Sequence, residues 1–594
     1  MKNKVILSAV LLLFSYGCNS LLEDGHNQQP YDRLSPDNAF RTEGNLELYS
    51  FSFYKILPSF SAIYSDDQTS DIMQRRDFWT FIVPNGYSSD QSSGWSWSDL
   101  RNINYFIEQL NNLPEDHEIS EEALNHYMGL ARFFRAWFYF DKVIRFGDVP
   151  WYDKVLAPDD EEGLKRPRDP RSLVMDNVLE DLDFAADHVR DEKDNSASTI
   201  TKWAVLSFKS RVCLFEGTFR KYHSDLDLEN TANDWLTEAS DAAKEVMESG
   251  LYTIHENASE PSESYKELFL DRSGTPPSDE IILAKVASSS LSVLHDATWI
   301  FTSPTNGLQP SFVKQFINTY LNLDGTAFTD QADFNKIPFV DEVQDRDYRL
   351  SQTIRMKGYT RENGAQPPNW SYTNTGYQPI KFTLYETFAD GSSVSDNSIP
   401  VIRFGEVLLN YAEAKAELGS LNQSDWEATI GKLRHRAGLA NSNVMPTSAD
   451  VYLMDTFYKG ITDPIVLEVR RERAIELALE GFRFRDLLRW KLGKNMEMPW
   501  MGMYVESLDK LYDLNEDGTP EVSFVKETPG NKQPGVIYRT VDDVVFKLSE
   551  GDHGNIIFHD DFNRTWEDKN YLYPIPRQET VLNPNLGQNP GWEE

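Results

Sequence analysis

The sequence predicts a mostly α-helical chain in which helix pairs form a scaffold for a loop-rich remainder. Three observations carry this expectation. Apolar residues recur at 3.6-residue spacing through several long segments. Three of those segments combine small residues with a glycine in the manner of tetratricopeptide-like hairpins: "GLARFFRAWFYFDKVIRFG", "KWAVLSFKSRVCLFEG" and "VLLNYAEAKAELG". Between about 255 and 400 the texture changes to turn formers, as in "GTPPSDE" and "GAQPPNWSYTNTGYQP". Aromatics make up 13% of the 594 residues, far too many for a disordered chain.

The first element is not part of the folded body. Lys2 and Lys4 precede an apolar run from Val5 to Phe14, then Ser15, Tyr16, Gly17 and Cys18. The run covers about half of the ~20 residues a spanning helix needs, so residues 1–17 read as a secretory signal. Cys18 directly after it is the expected lipidation site, with an ordinary signal cut elsewhere as the alternative. Cys213, the second of two cysteines, sits in "RVCLFEG" and reads as a buried free thiol.

The helices follow in order. "WSWSDLRNINYFIEQL" (95–110) leads into the aromatic run Phe133, Phe134, Trp137, Phe138, Tyr139 and Phe140, whose helical spacing predicts core. Residues 171–189 and 201–217 read as two more helices. In "DWLTEASDAAKEVMESGLY", Trp235, Leu236, Ala239, Ala242, Ala243, Val246 and Met247 share one face, and Gly250 supplies the stop. Phe404, Val407, Leu408, Tyr411, Ala412 and Leu418 repeat that pattern before Gly419. A further helix begins with Asp463 as N-cap and Pro464 at its first turn. Its Glu468, Glu472, Glu476 and Glu480, spaced by four among Arg470, Arg471 and Arg473, predict a helix laced with its own ion pairs. A second irregular block is expected from about 495 to 594.

A formal charge of −36 argues against nucleic acid as a partner, because binding a polyphosphate requires clustered Lys and Arg. A hydroxyl-rich ligand could instead use the abundant aromatic rings as platforms and Asp, Asn and Gln as hydrogen-bond partners. The chain has no G-x-S-x-G, P-loop, Rossmann or H-E-x-x-H pattern. With 94 acidic residues a glycosidase's two carboxylates are always at hand, which leaves that alternative open.

Five blocks then resemble one family, in order along the chain. They are "CNSLLEDGHNQQP" with "WSWSDLRNINYFIEQL", "GLARFFRAWFYFDKVIRFGDVPWYDK", "RFGEVLLNYAEAKAELG", "VRRERAIELALEGFRFRDLLRWK" and "YLYPIPRQETVLNPNLGQNPGW". Together they resemble the SusD/RagB-like nutrient-binding lipoproteins of the bacterial outer membrane. The resemblance implies a SusD-like fold with four tetratricopeptide-like helix pairs and one domain over 18–594. The scaffold would lie mainly in 35–250 and 400–490, the ligand-binding loops in 255–400, and a C-terminal strap in 565–594. It also implies a lipid-anchored protein on the cell surface that binds oligosaccharides and delivers them to a SusC-like TonB-dependent β-barrel transporter, without catalysis or cofactor. A peptide- or other nutrient-binding lid is the alternative. Membrane contact would come through the lipid alone.

Candidate ligand contacts are expected on the variable loops. Trp299 precedes "IFTSPTNGLQP" with Asn306, and the resemblance places a binding loop there. Trp370, Tyr372 and Tyr377 lie in "PPNWSYTNTGY", while "SDDQTSDIMQRRDFW" offers Asp66, Asp67, Asp71, Arg75 and Trp79. Aromatic rings beside amides and charges suit a sugar's apolar face and its hydroxyls. In "DLNEDGTPEVSF", Asp513, Asn515, Asp517 and Gly518 match the opening of a calcium loop. Its twelfth position is Phe524 and Glu521 falls at the ninth, so a cation site of another kind competes with a plain turn.

Overall fold

A computed structural model describes residues 40–593, apart from 78, 275, 277, 304, 305 and 543. The expected signal and Cys18 lie outside the described residues. Helix accounts for 44% of the described residues and strand for 10%.

Nine of the helices build the scaffold: α1 (Glu43–Ser50), α2 (Ser98–Asn111), α3 (Glu121–Phe146), α4 (Arg171–His188), α5 (Lys202–Tyr222), α6 (Ala232–Glu248), α7 (Phe404–Glu417), α8 (Pro464–Glu476) and α9 (Arg483–Arg489). From α2 to α8 each packs on the next, which buries the apolar stripes read from the sequence. Side chains start them where expected. Ser120 accepts from Ala123 N at 3.1 Å, and Asp463 accepts from Ile465 N and Val466 N at 2.8 and 3.2 Å. The aromatic run of α3 is core, with Trp137 stacked on Phe208 at 4.0 Å. Cys213 is a buried free thiol, and burial pushes its pKa up.

The glycines serve two different purposes. Gly147 ends α3 with φ +72°, the left-handed conformation that favours glycine. Gly217, expected at a helix exit, instead lies inside α5. A Cβ there would meet the Leu236 backbone nitrogen at 3.0 Å, so glycine lets α5 and α6 approach closely.

The segment read as one long helix from Asp463 is broken. α8 ends at Glu476, Leu479 and Gly481 take positive φ, and α9 restarts at Arg483. Its glutamates do not chiefly pair along their own helix. Glu476 binds Arg349, Arg403 and Arg436, Glu472 binds Arg349 and Arg434, and Glu480 binds Arg403 and Lys381. The cations come from the loop region (Arg349, Lys381), from Arg403 just before α7 and from the short helix Ile430–Arg436, so the four-residue spacing marks a face turned inward. Its guanidinium partners hold the Glu476 carboxyl well below the usual range despite full burial.

The loop region is tied to the scaffold by strand Ile281–Lys285, antiparallel to Ile399–Arg403. The C-terminal block is less irregular than expected. It holds one three-stranded sheet of Phe546–Leu548, Gly554–Phe558 and Trp500–Val505, and another of Ile537–Thr540, Val522–Val525 and Leu511–Tyr512. The last residues run back along α3: Tyr573 N donates to Arg145 O at 2.7 Å and Asn589 Nδ2 to Phe146 O at 3.0 Å.

Candidate functional site

Three loops that are far apart in sequence meet at one patch of the surface. Strand Met73–Gln74 pairs antiparallel with Ser311–Phe312, and Arg76 N donates to Leu308 O at 2.6 Å. This lays residues 75–77 along 306–310. The third loop joins through side chains: Gln309 Nε2 donates to Ser371 O at 2.8 Å, and Ser311 and Thr373 hydroxyls lie 2.9 Å apart. Thr375 Oγ1 donates to Phe312 O at 2.6 Å. Hydroxyl side chains here satisfy backbone groups that no regular sheet would. A fourth contribution comes from strand Ile537–Thr540, where Arg539 Nη2 donates to Asn374 Oδ1 at 3.2 Å.

Of the expected ligand contacts, Arg75, Asn306 and Tyr372 converge here. Arg75 is half-buried and donates to Asp77 O at 3.3 Å. Asn306 Oδ1 accepts from Leu308 N at 3.3 Å and shapes the turn. Tyr372 is half-buried, with the Arg355 guanidinium 5.8 Å from its ring. Trp299 is half-buried on the short helix Ala297–Thr302, which leads into the 306–310 loop.

Other expected contacts are placed elsewhere. Trp370 is 1% exposed and meets Phe524 edge-on at 5.0 Å, inside the C-terminal core. Tyr377 is fully buried, and its hydroxyl donates to Glu342 Oε2 at 2.7 Å. Their loop is not a surface excursion, because Thr373 and Thr375 supply the hydrogen bonds that let its backbone pass through the interior. Asp67 is also fully buried; it accepts from Leu479 N and Arg483 N at 2.7 and 3.1 Å and closes the break between α8 and α9. Asp71 is consumed by Arg483. Asp66 lines a cleft of about 70 Å³ with Trp137, Asp141, Phe482 and Arg485, none of which belongs to the patch where the loops meet. The Trp79 ring stacks on Phe81 at 4.8 Å and meets Phe484 edge-on at 5.1 Å, so packing claims it.

Arg76, Gln309, Asn374 and Arg539 were not singled out in the sequence. The Arg-Arg pair at 75–76 was a visible signal for Arg76. Arg539 lies 165 residues from Asn374 and carries no local mark.

In the loop whose opening matches a calcium site, Asp513, Asp517 and Glu521 present carboxylate oxygens within 4.8 Å of one another. Asn515 is 8% exposed and donates to Asp517 Oδ2 at 3.0 Å, so Glu521 takes the place expected of it. Burial, then the Asp513 and Asp517 charges, push Glu521 up to about 7. These three groups could hold a divalent cation.

A helical stack on which separate loops meet at one surface patch is a scaffold able to present a site. Comparison with known proteins gives the class its family. The profile described as "SusD family" matches residues 280–592, and one described as "Starch-binding associating with outer membrane" matches 60–214. The chain belongs to the SusD family. It is 23% identical over 527 residues to SusD-like protein P2 of Formosa agariphila, covering 84% of this chain and 93% of that one. Two solved Bacteroides fragilis structures share the fold. A SusD-like protein matches with TM-score 0.67 at 21% identity, covering 95% of this chain and 100% of its own. A SusD-like carbohydrate binding protein matches with TM-score 0.66 at 21% identity, covering 92% and 99%. Among the described residues, no helix is long and apolar enough to cross a membrane.

Proposed function

We propose that the chain is a cell-surface glycan-binding protein that captures oligosaccharides at the surface patch around Tyr372 and passes them to a SusC-like TonB-dependent barrel. The observation that carries this reading is the meeting, on a rigid helical base, of loops that bring the partly exposed Tyr372 ring, Gln309 amide and Arg75 and Arg539 guanidinium groups to one patch. Such a set offers a stacking platform and hydrogen-bond partners without a nucleophile or acid–base pair, which suits binding rather than reaction. The carbohydrate-binding relative of the same fold supports it. A lipid on Cys18 would keep the protein beside its barrel. The Asp513–Asp517–Glu521 cluster would take a calcium ion as a structural ligand of the C-terminal sheet. Calorimetric titration of the full chain with a panel of oligosaccharides tests the central claim. Binding that Tyr372→Ala abolishes upholds it; no binding to any glycan, or turnover of one, overturns it.

A further inference from the structure

A cavity of about 520 Å³, a size typical of small-ligand sites, shares no residue with the loop patch. It lies between the first turns of α2, the segment 150–156 after α3, and the short helix Arg577–Leu582 near the C-terminus. Trp97, Leu100, Tyr152, Leu156, Leu164 and Leu582 give it apolar walls. Leu164 and Leu582 are 47% and 64% exposed, so two large aliphatic side chains border one cavity open to solvent. The neutral polar groups on the walls are already committed to the protein. The Tyr152 hydroxyl donates to Gly163 O at 3.3 Å, Asn104 Nδ2 to Tyr152 O at 2.9 Å and Asn583 Nδ2 to Arg166 O at 2.9 Å. A hydroxyl-rich sugar would find few free partners here. The charged groups differ: Arg101, Lys154 and Lys165 line the cavity against a single acid, Glu579. Arg101 donates to Leu156 O at 2.8 Å, and neither it nor the exposed Lys154 has an ion pair among the described residues. Lys165 lies 3.7 Å from Glu161 with both side chains exposed, a weak match. A chain of charge −36 therefore gathers an excess of cations at one apolar cavity.

We infer that this cavity binds a single-chain amphiphile with an anionic head, its chain against the apolar walls and its head at Arg101, Lys154 and Lys165. The inference goes beyond glycan binding and does not depend on it. Apolar walls with few free polar groups select the chain, because each methylene taken out of water raises affinity about four-fold. At roughly 30 Å³ for each heavy atom, the cavity holds about 17 of them, enough for one medium-length chain and its head. The two chains of a bilayer lipid would not fit. Ammonium and guanidinium groups pair a carboxylate or a phosphate monoester with charge-assisted hydrogen bonds, so a fatty acid and a phosphorylated single-chain lipid share the required chemistry. The cations are exposed, so the head orients the ligand and contributes less than the chain.

The test is calorimetric titration of the full chain, in detergent-free buffer, with octanoate, decanoate, dodecanoate and tetradecanoate below their micellar concentrations. Dodecyl phosphate and the neutral glyceryl monoester of dodecanoate complete the panel. Affinity should climb about four-fold per methylene from octanoate and level off once the cavity is full. The neutral ester should bind about ten-fold more weakly than dodecanoate, and the better of dodecanoate and dodecyl phosphate identifies the head. Leu164→Asp and Leu582→Asp alter exposed walls, so they should keep the melting temperature and lose ten-fold or more for every chain. Lys154→Glu combined with Lys165→Glu should lose about ten-fold for the anions and little for the neutral ester. Val444→Asp, at an exposed position outside the cavity, should change nothing. Binding of no chain, an affinity independent of chain length, or equal losses in Val444→Asp and Leu582→Asp overturns the inference. A neutral ester that binds as tightly as the anions overturns it too. None of these outcomes bears on glycan binding at the loop patch.

Discussion

Arg483 and Asp71, 412 residues apart, meet in a buried fork: Nε to Oδ1 at 2.7 Å and Nη2 to Oδ2 at 2.7 Å. This pair joins the start of α9 to the segment that runs two residues later into strand Met73–Gln74 of the loop patch. Asp67 adds backbone bonds to the same turn, so residues 67–74 are set by the scaffold before the loops arrive. Binding residues on 75–76 inherit that rigidity, which is how a loop site avoids spending affinity on ordering.

Removing one partner of that pair should therefore be costly. Asp71→Asn leaves the Arg483 charge buried without its counterion and should destabilise by about 3–5 kcal/mol, while Asp71→Asn with Arg483→Met should recover much of the loss. Chemical denaturation of the single and double variants reads this directly. Equal stability of Asp71→Asn and wild type would refute it.

Two aromatic truncations two residues apart should separate binding from folding. Tyr372→Ala removes a half-buried ring at the loop patch and should cost at least about ten-fold in glycan affinity with little change in melting temperature. Trp370→Ala empties a site in the C-terminal core and should cost about 3–5 kcal/mol of stability. Titration and thermal melting on both proteins distinguish the roles. Trp299→Ala, on the helix that leads into the loop, is expected to follow Tyr372→Ala.

That contrast shows what the sequence could convey. Helix positions, caps and the aromatic core of α3 were legible because they are local: 3.6-residue spacing, Ser120, Asp463 and Pro464 need no tertiary partner. The inward face of α8 was not, because Glu472 and Glu476 find their arginines at 349, 403, 434 and 436. For the site, turn-rich composition correctly marked Tyr372 and Asn306 as loop residues. It could not tell Tyr372 from Trp370, since burial of that loop depends on threonine hydroxyls bonding a strand some 60 residues away. Arg539 was beyond reach for the same reason.

Lys266 should make stability depend on pH. Its ammonium is fully buried with no hydrogen-bond partner among the described residues, held over the rings of Tyr359 and Tyr385 at 4.4 and 4.3 Å. Burial lowers its pKa to about 7 from the usual 10.5. Between these values the unfolded chain holds a proton the folded one lacks, so this group makes stability rise with pH from about 7 toward 10.5. Lys266→Met should raise the melting temperature at neutral pH and flatten that rise. A variant less stable than wild type at pH 7 would show that the two ring contacts outweigh the desolvation.

Calcium should act through Glu521. Its folded-state pKa of about 7 lies above the usual 4.5, so the cation-free protein holds a proton there that the unfolded chain releases. In that state the group contributes stability at low pH that is lost as pH rises from about 4.5 through about 7. A cation bridging Asp513, Asp517 and Glu521 must displace the proton, so its affinity should climb as pH passes 7 and binding should release protons. Millimolar calcium should then raise the melting temperature at pH 8 more than at pH 6. Asp517→Asn should remove the calcium effect, while Glu521→Gln should remove both it and the low-pH dependence of the cation-free protein. A calcium shift unchanged in Asp517→Asn would place the ion elsewhere.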